Sequence, residues 1–338
     1  IKNRDEDIAR LEENIRLFNK NGPKKIIAIG ESVLDTLYRN GQPIKAMVGG
    51  RIANATASLG MTGVPVTFCS ECCTDSVGDI IVDFFNRHQV ATTSIDRYTD
   101  GSTQLSAIFL GEDGNDKIVN YGVYPDADRF DVVWPRIDEG DIVLFGSLYS
   151  IAQPQRERVY ELLSYAAERK AVMVYLPGFQ HGINFRITRV LTAILENLEL
   201  SSIVVAHERD LADIFPGESA EKAYHNHFEY YCPCFIHIGA DGGVDAFVGK
   251  EHWQFRCPTP QGLNWLGWQS GFTAGVICAL LSEGITAEQM RTIDHDTMQK
   301  IVNTAFLLAD NASGETNCID AKMASKMQQA INEATTDE

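Results

Sequence analysis

"KKIIAIGESVLDTLYRNGQPIKAMVGGRIANATASLG", residues 24–60, carries the signals that decide the fold. It opens on KKIIAIG, an apolar run that does not alternate with polar residues. A strand of that kind is buried on both faces, as in a parallel sheet covered by helices. It closes on RIANATASLG, a helix of small residues fed by Gly49 and Gly50. Between them DTLYRNGQPIKAMV (35–48) reads as two strands joined by a turn, with no helix between them.

The same grammar runs outward from this stretch. VPVTFC precedes the helix VGDIIVDFFNRH, and DIVLFG precedes the helix QPQRERVYELLSYAAERK. AVMVYL, SSIVVA and CFIHIG are further continuous apolar strands, and FTAGVICALL and MQKIVNTAFLLADNA are late helices. The alternation predicts an α/β fold, a three-layer α/β/α sandwich with a mostly parallel sheet and ligands at the carboxyl ends of its strands. A second helix-free segment, TQLSAIFLGEDGNDKIVNYGVY (103–124), turns at residues 112–115. Together with the first it predicts a small β lid, with strands from about 36–48 and 100–125. One domain is expected over 24–330. It is preceded in 1–23 by an amphipathic helix with Ile8, Leu11, Ile15 and Phe18 on one stripe, read as docked or as a dimer contact; Gly22-Pro23 stops it.

Composition limits the function classes. The chain has 338 residues, 44% of them hydrophobic, enough for one large core. A net charge of −17 argues against nucleic acid and against an anionic membrane surface. It leaves room for a phosphate held at a helix N-terminus. No apolar run approaches the roughly 18 residues of a membrane span, and no signal-peptide pattern is read. Eight scattered cysteines read as reduced core thiols, so a cytoplasmic location is expected.

Gly49 and Gly50 let the backbone come close to a ligand. Asp35 and Asn54 supply an acceptor and a mixed donor and acceptor, a pairing that suits sugar hydroxyls. Turn chemistry and helix capping are the plain alternative for the same residues.

With IIAIGESVLD, VGGRIANATASLG, CCTDSVGDIIVDFFNRHQVATTSI, IGADGGVDAFVG and GFTAGVICAL in this order, the chain resembles the pfkB carbohydrate kinases, the ribokinase-like fold, over roughly residues 24–317. The resemblance implies ATP- and Mg²⁺-dependent phosphoryl transfer to a sugar hydroxyl. It places the sugar on Asp35, Asn54 and the Gly49-Gly50 backbone, and matches Asp75 and Gly78 to a family turn. It lays the nucleotide near His207, Asp210, His237, Gly239 and Gly242, with a homodimer contact through the lid.

The second half departs from that family. Anchored on FTAG, the late Gly-Ala-Gly-Asp signature falls on Gly267, Trp268, Gln269 and Ser270, in a turn expected to feed a helix beginning near Ser270. Ser270 stands at the position of the catalytic base, Trp268 and Gln269 are bulky where the backbone would approach phosphate, and Asn264 replaces an acidic residue. Asp-Pro-Asn-x-Arg becomes LPGFQ (176–180), and Asn-x-x-Glu becomes HERD, with His207 and Asp210 in the two places. Losing a general base costs about 10²–10⁴ in rate, and losing an anion-hole donor about 10²–10³.

Other constellations carry less. His225, His227, Cys232 and Cys234 have H-x-H and C-x-C spacings, unlike the usual tetrahedral zinc pattern, and no metal site is assigned. His207, Glu208 and Asp210 read as the acidic start of a helix, or as an acid/base cluster. Cys72 and Cys73 read as buried thiols. Trp265 and Trp268 either stack on a ligand or plug the phosphate site. Two functions follow: a sugar kinase of weak or absent activity, or a sugar-binding pseudokinase or regulator.

Overall fold

The computed structural model describes residues 24–111, 116–126, 128–178, 187–257, 265–312 and 317–326. The helix read over 1–23, the turn at 112–115, Phe179, Gln180, Asn264, the side chain of Trp265 and the end of the expected domain lie outside the described residues.

In chain order the strands are β1 (Ile26–Ile29), β2 (Val33–Arg39), β3 (Gln42–Gly49), β4 (Val66–Cys73), β5 (Val90–Ala91), β6 (Ile95–Tyr98), β7 (Ser102–Phe109), β8 (Lys117–Val123), β9 (Ile142–Gly146), β10 (Val172–Leu176), β11 (Ile203–His207), β12 (Cys234–Ile238), β13 (Val244–Val248) and β14 (Glu251–Phe255). The helices are α1 (Arg51–Met61), α2 (Ser76–Arg87), α3 (Arg156–Glu168), α4 (Leu191–Leu200), α5 (Glu208–Ile214), α6 (Ala220–Ala223), α7 (Trp265–Ser282) and α8 (His295–Ala309).

The main sheet has ten strands in the order β14-β13-β12-β11-β10-β9-β1-β4-β5, with β6 also on β4. From β12 across to β5 every pairing is parallel; β13 and β14 close one edge as antiparallel strands. The strand period sorts the apolar residues into two cores. Ile26 and Ala28 of β1 pack in the core that holds Leu280 of α7 and Ile301 of α8. Ile27 and Ile29 pack in the other, with Leu162 of α3 and Leu198 of α4. That sorting makes the sheet the middle of three layers, and it explains why its strands read as continuous apolar runs.

The helix-free segments form a separate four-stranded sheet, β3-β2-β7-β8. Each segment is an antiparallel hairpin, as the sequence suggests, but β2 and β7 join the hairpins in parallel. The chain between them crosses over through α1, β4 and α2, so the central pair runs the same way.

The late helix differs from expectation. α7 begins at Trp265, five residues before Ser270, so Gly267, Trp268, Gln269 and Ser270 lie on a helix and not in a turn. Gly271 and Gly275, one turn apart, face α8; a Cβ on either would press on the α8 backbone at Ala309 or Ala305. These two glycines let the two helices approach closely.

Candidate ligand site

A cavity of about 230 Å³ opens at the carboxyl ends of β1, β4 and β9, under the four-stranded sheet. Ser106 of β7 and Asn120 of β8 line one wall, and Glu31, Glu71 and Tyr149 line the wall of the main sheet.

Strand register puts Asp35 on the cavity face. Asp35 pairs with Ser106 and Ser106 with Asn120, so the three side chains form one row across the sheet. Ser106 donates to Asn120 Oδ1 (2.7 Å) and lies within hydrogen-bonding reach of Asp35. Burial pushes the Asp35 carboxyl up to about 7, against the Ser106 hydrogen bond and with the help of Glu31. Glu31 is raised by burial too, although the Ser147 hydroxyl donates to its Oε2. A Cβ at Gly49 would collide with the Asp35 carboxylate, so that position needs glycine for space. Gly50 needs it for conformation, with φ of 112°. Asn54, 3% exposed, follows on α1, and its Oδ1 has no hydrogen-bond partner among the described residues. Asp75 caps α2 through Gly78 N–H (2.8 Å) and accepts from Thr103 N–H and Oγ1, tying the helix to β7.

The far end of the cavity holds residues that local sequence does not single out. Glu71 at the end of β4 accepts from Arg129 through Nε (2.9 Å) and Nη2, and from the Tyr98 hydroxyl (2.8 Å). The guanidinium lies 4.8 Å from the centre of the Tyr124 ring. Tyr149, 5% exposed, lines the cavity with its hydroxyl unpartnered among the described residues.

Beyond the Gly49-Gly50 turn the charges pair with one another. Arg51, the first residue of α1, donates from Nη1 and Nη2 to the two carboxylate oxygens of Asp210 (2.7 and 2.8 Å). Asp210 Oδ2 also accepts from His207 N–H (3.0 Å), inside the capping box of α5. A Cβ at Gly178 would collide with Arg51 Nη1. Arg51, Gly178 and Asp210 thus interlock, and the guanidinium takes the place beside Asp210 that a divalent cation would need. The Asp210 oxygens do not fit a Mg²⁺ shell.

The same holds in the β12–β13 turn, where Glu208 accepts from Ala240 N–H (2.8 Å), Gly239 N–H donates to Gly243 O (2.9 Å), and Gly242 has φ of 80°. His237 on β12 is buried with no hydrogen bond among the described residues; its Nδ1 lies 3.6 Å from Asp245 Oδ2. Burial lowers its pKa against the pull of Asp245.

In the late motif Trp268, 6% exposed, stacks on Phe272 (5.4 Å between ring centres) and packs on Phe306 of α8. Its indole N–H donates to Asp310 Oδ1 (3.4 Å). Ser270 is buried as well. On a helix begun at Trp265, the N–H of Ser270 is past the first four groups that a helix leaves open. Elsewhere His225 pairs with Glu229 and His227 with Glu218, while Cys232 and Cys234 are buried. Among the described residues no group of three or more metal-binding side chains comes together, and no helix is long and apolar enough to cross a membrane.

This architecture is that of the ribokinase-like sugar kinases. The family profile of the pfkB carbohydrate kinases matches residues 25–242, and the chain belongs to that family. None of the curated proteins matches it in sequence. Among solved structures it is similar to aminoimidazole riboside kinase from Salmonella enterica, complexed with aminoimidazole riboside and an ATP analog (16% identity, 91% of this chain and 100% of that one, TM-score 0.74). It is also similar to fructokinase from Xylella fastidiosa (17%, 91% and 98%, TM-score 0.67) and to fructokinase from Vibrio cholerae O395 (14%, 92% and 99%, TM-score 0.69). At such identities the likeness is one of fold.

Proposed function

We propose that this pfkB-family protein binds a sugar-like ligand in the cavity between the two sheets and that its phosphoryl side is degenerate, leaving a sugar-binding pseudokinase or regulator. The observation that carries this reading is the closure of Asp210 by Arg51 over Gly178. A transferred phosphate needs a metal, an anion cradle and a proton acceptor. Here Asp210 is held by an internal cation, the β12–β13 turn by an internal carboxylate, and the position expected to be the base is a buried serine on a helix. On the sugar side Asp35 shares the sheet face of the cavity-lining Ser106 and Asn120, and Asn54 Oδ1 has no hydrogen-bond partner among the described residues, which supports a sugar held beside the Gly49-Gly50 turn.

A second reading, a kinase of low activity, draws on one contact: Asp310 is a carboxylate brought against the late motif through Trp268. In an active enzyme of this family ATP supplies the phosphoryl group and Mg²⁺ screens it. The exposed apolar side chains Ile44, Phe109, Tyr121 and Val123 share the outer face of the four-stranded sheet, which supports a homodimer through that sheet. The test is ADP release from Mg-ATP over a panel of sugars and ribosides. The pseudokinase reading expects no release above the sugar-free rate. Turnover that Asp310→Asn abolishes would replace it with the kinase reading.

A further inference from the structure

On the outer side of α3 three side chains stack in steps. The guanidinium carbon of Arg169 sits 3.9 Å from the centre of the Tyr165 ring, and Tyr165 packs on Trp134 with 5.2 Å between ring centres. Trp134 belongs to residues 131–139, which run beside α3 from the Arg158–Asp131 contact (3.6 Å) to the Lys170–Glu139 contact (3.9 Å). Val132 and Ile137 are buried in the core, while Val133 is 71% exposed and Trp134 38%. Single exposed apolar side chains are ordinary. A valine and a tryptophan side by side, continued by a half-buried tyrosine, make a strip of the kind that marks an interaction surface.

The chain itself carries a segment that fits. Residues 5–20 have the helical period, with Ile8, Leu11, Ile15 and Phe18 on one stripe. A helix that short is marginal in water and takes its stability from covering such a stripe. Its point of entry is Lys24, whose Nζ donates to Glu139 O (2.8 Å). Gly140 N–H donates to Lys170 O there (3.4 Å), next to Arg169, where the strip begins. Residues 21–23 span up to about 10 Å. A helix over 5–20 is about 24 Å long, and α3, with 13 residues, about 20 Å. We propose that residues 5–20 dock as a helix on the Val133–Trp134–Tyr165 strip of the same chain. Laid back along α3 from Lys24, the helix brings Phe18 to Tyr165. It brings the acidic Asp5, Glu6 and Asp7 to Arg158, whose side chain is 48% exposed. The proposal stands apart from the ligand reading.

The experiment follows amide hydrogen exchange by mass spectrometry in the full chain. It compares the parent with Trp134→Ser, with the milder Val133→Ser, and with Tyr121→Ser, an exposed position on the outer face of the four-stranded sheet. In the parent, amides of 8–18 are expected to exchange about tenfold or more slowly than in an unstructured chain, because a docked helix must open before it exchanges. Trp134→Ser and Val133→Ser are expected to remove that protection, and Tyr121→Ser to leave it. Unchanged protection of Ile26–Ile29 in the core strand shows that each variant is folded; Val133→Ser decides if Trp134→Ser is not. Protection that survives both strip variants would overturn the proposal. So would its loss in Tyr121→Ser, or exchange over 8–18 at unstructured rates in the parent. Protection that fades as the protein is diluted would put the helix on a second copy and overturn docking within one chain.

Discussion

The two sides of the Gly49-Gly50 turn face the same end of the sheet and treat their polar groups in opposite ways. On the sugar side Asn54 Oδ1 and the Tyr149 hydroxyl have no partner, and Asp35 is held beside Glu31 with its carboxyl pushed up to about 7. On the phosphoryl side Arg51 closes on Asp210, Ala240 N–H on Glu208 and Trp268 on Asp310, while the buried His237 ring makes no hydrogen bond among the described residues. A polar group left unsatisfied inside a protein is costly, and a ligand is one way to satisfy it. A group already satisfied internally must break a bond before it binds anything. Under the proposed function, binding belongs to the first side and structure to the second.

The largest effect expected is at Trp268. If its ring is core, Trp268→Ala costs about 3–5 kcal/mol in denaturant unfolding and leaves the ligand affinity of the folded protein unchanged. A stable variant with weakened binding would move Trp268 to the ligand side and break the contrast. Next is Asp210→Asn, which leaves Arg51 without its carboxylate. Breaking a buried pair costs about 3 kcal/mol; a loss under about 0.5 kcal/mol, the scale of an ordinary surface substitution, would show that Asp210 is not structural.

Third is the pH dependence of Asp35. The folded chain holds its proton up to about pH 7, the unfolded chain only to about 3.9. Between these values the folded state binds more protons, so stability falls as pH rises through the window and levels off above it. Asp35→Asn removes this component, and its stability relative to the parent should rise from pH 4 to pH 7. Equal slopes in parent and variant would contradict the burial of Asp35. The smallest effect is on activity: Ser270→Asp should restore no phosphoryl transfer, because the residue sits inside α7 and not at an open helix end. ADP release from Mg-ATP and sugar in this variant would show that the base alone is missing.

The sequence made the main sheet legible because strands buried on both faces carry continuous apolar runs, as IIAI and VMVYL do. It also made the hairpins and the Gly49-Gly50 turn legible, since their signals are local. The start of α7 was hidden: two tryptophans and two glycines within the seven residues 265–271 have weak helix propensity, and packing of Gly271 and Gly275 against α8 overrides it. The Arg51–Asp210 pair spans 159 residues and Glu71–Arg129 spans 58, so no local spacing betrays either. Gly178 read as a lost asparagine; only the guanidinium lying against it explains the residue. Tyr149 gave no signal at all, because its isolation is a property of the cavity.

Thermal unfolding with saturating Mg-ATP, set beside the same scan with sugars and glycosides, tests the central contrast most directly. A ligand bound only by the folded state stabilises it by about 2.7 kcal/mol at 100 times its Kd. The account predicts a raised melting temperature with a sugar or glycoside and none with Mg-ATP. A clear rise with Mg-ATP that is lost when magnesium is chelated would contradict it, because Asp210 would then have released Arg51 to take the metal.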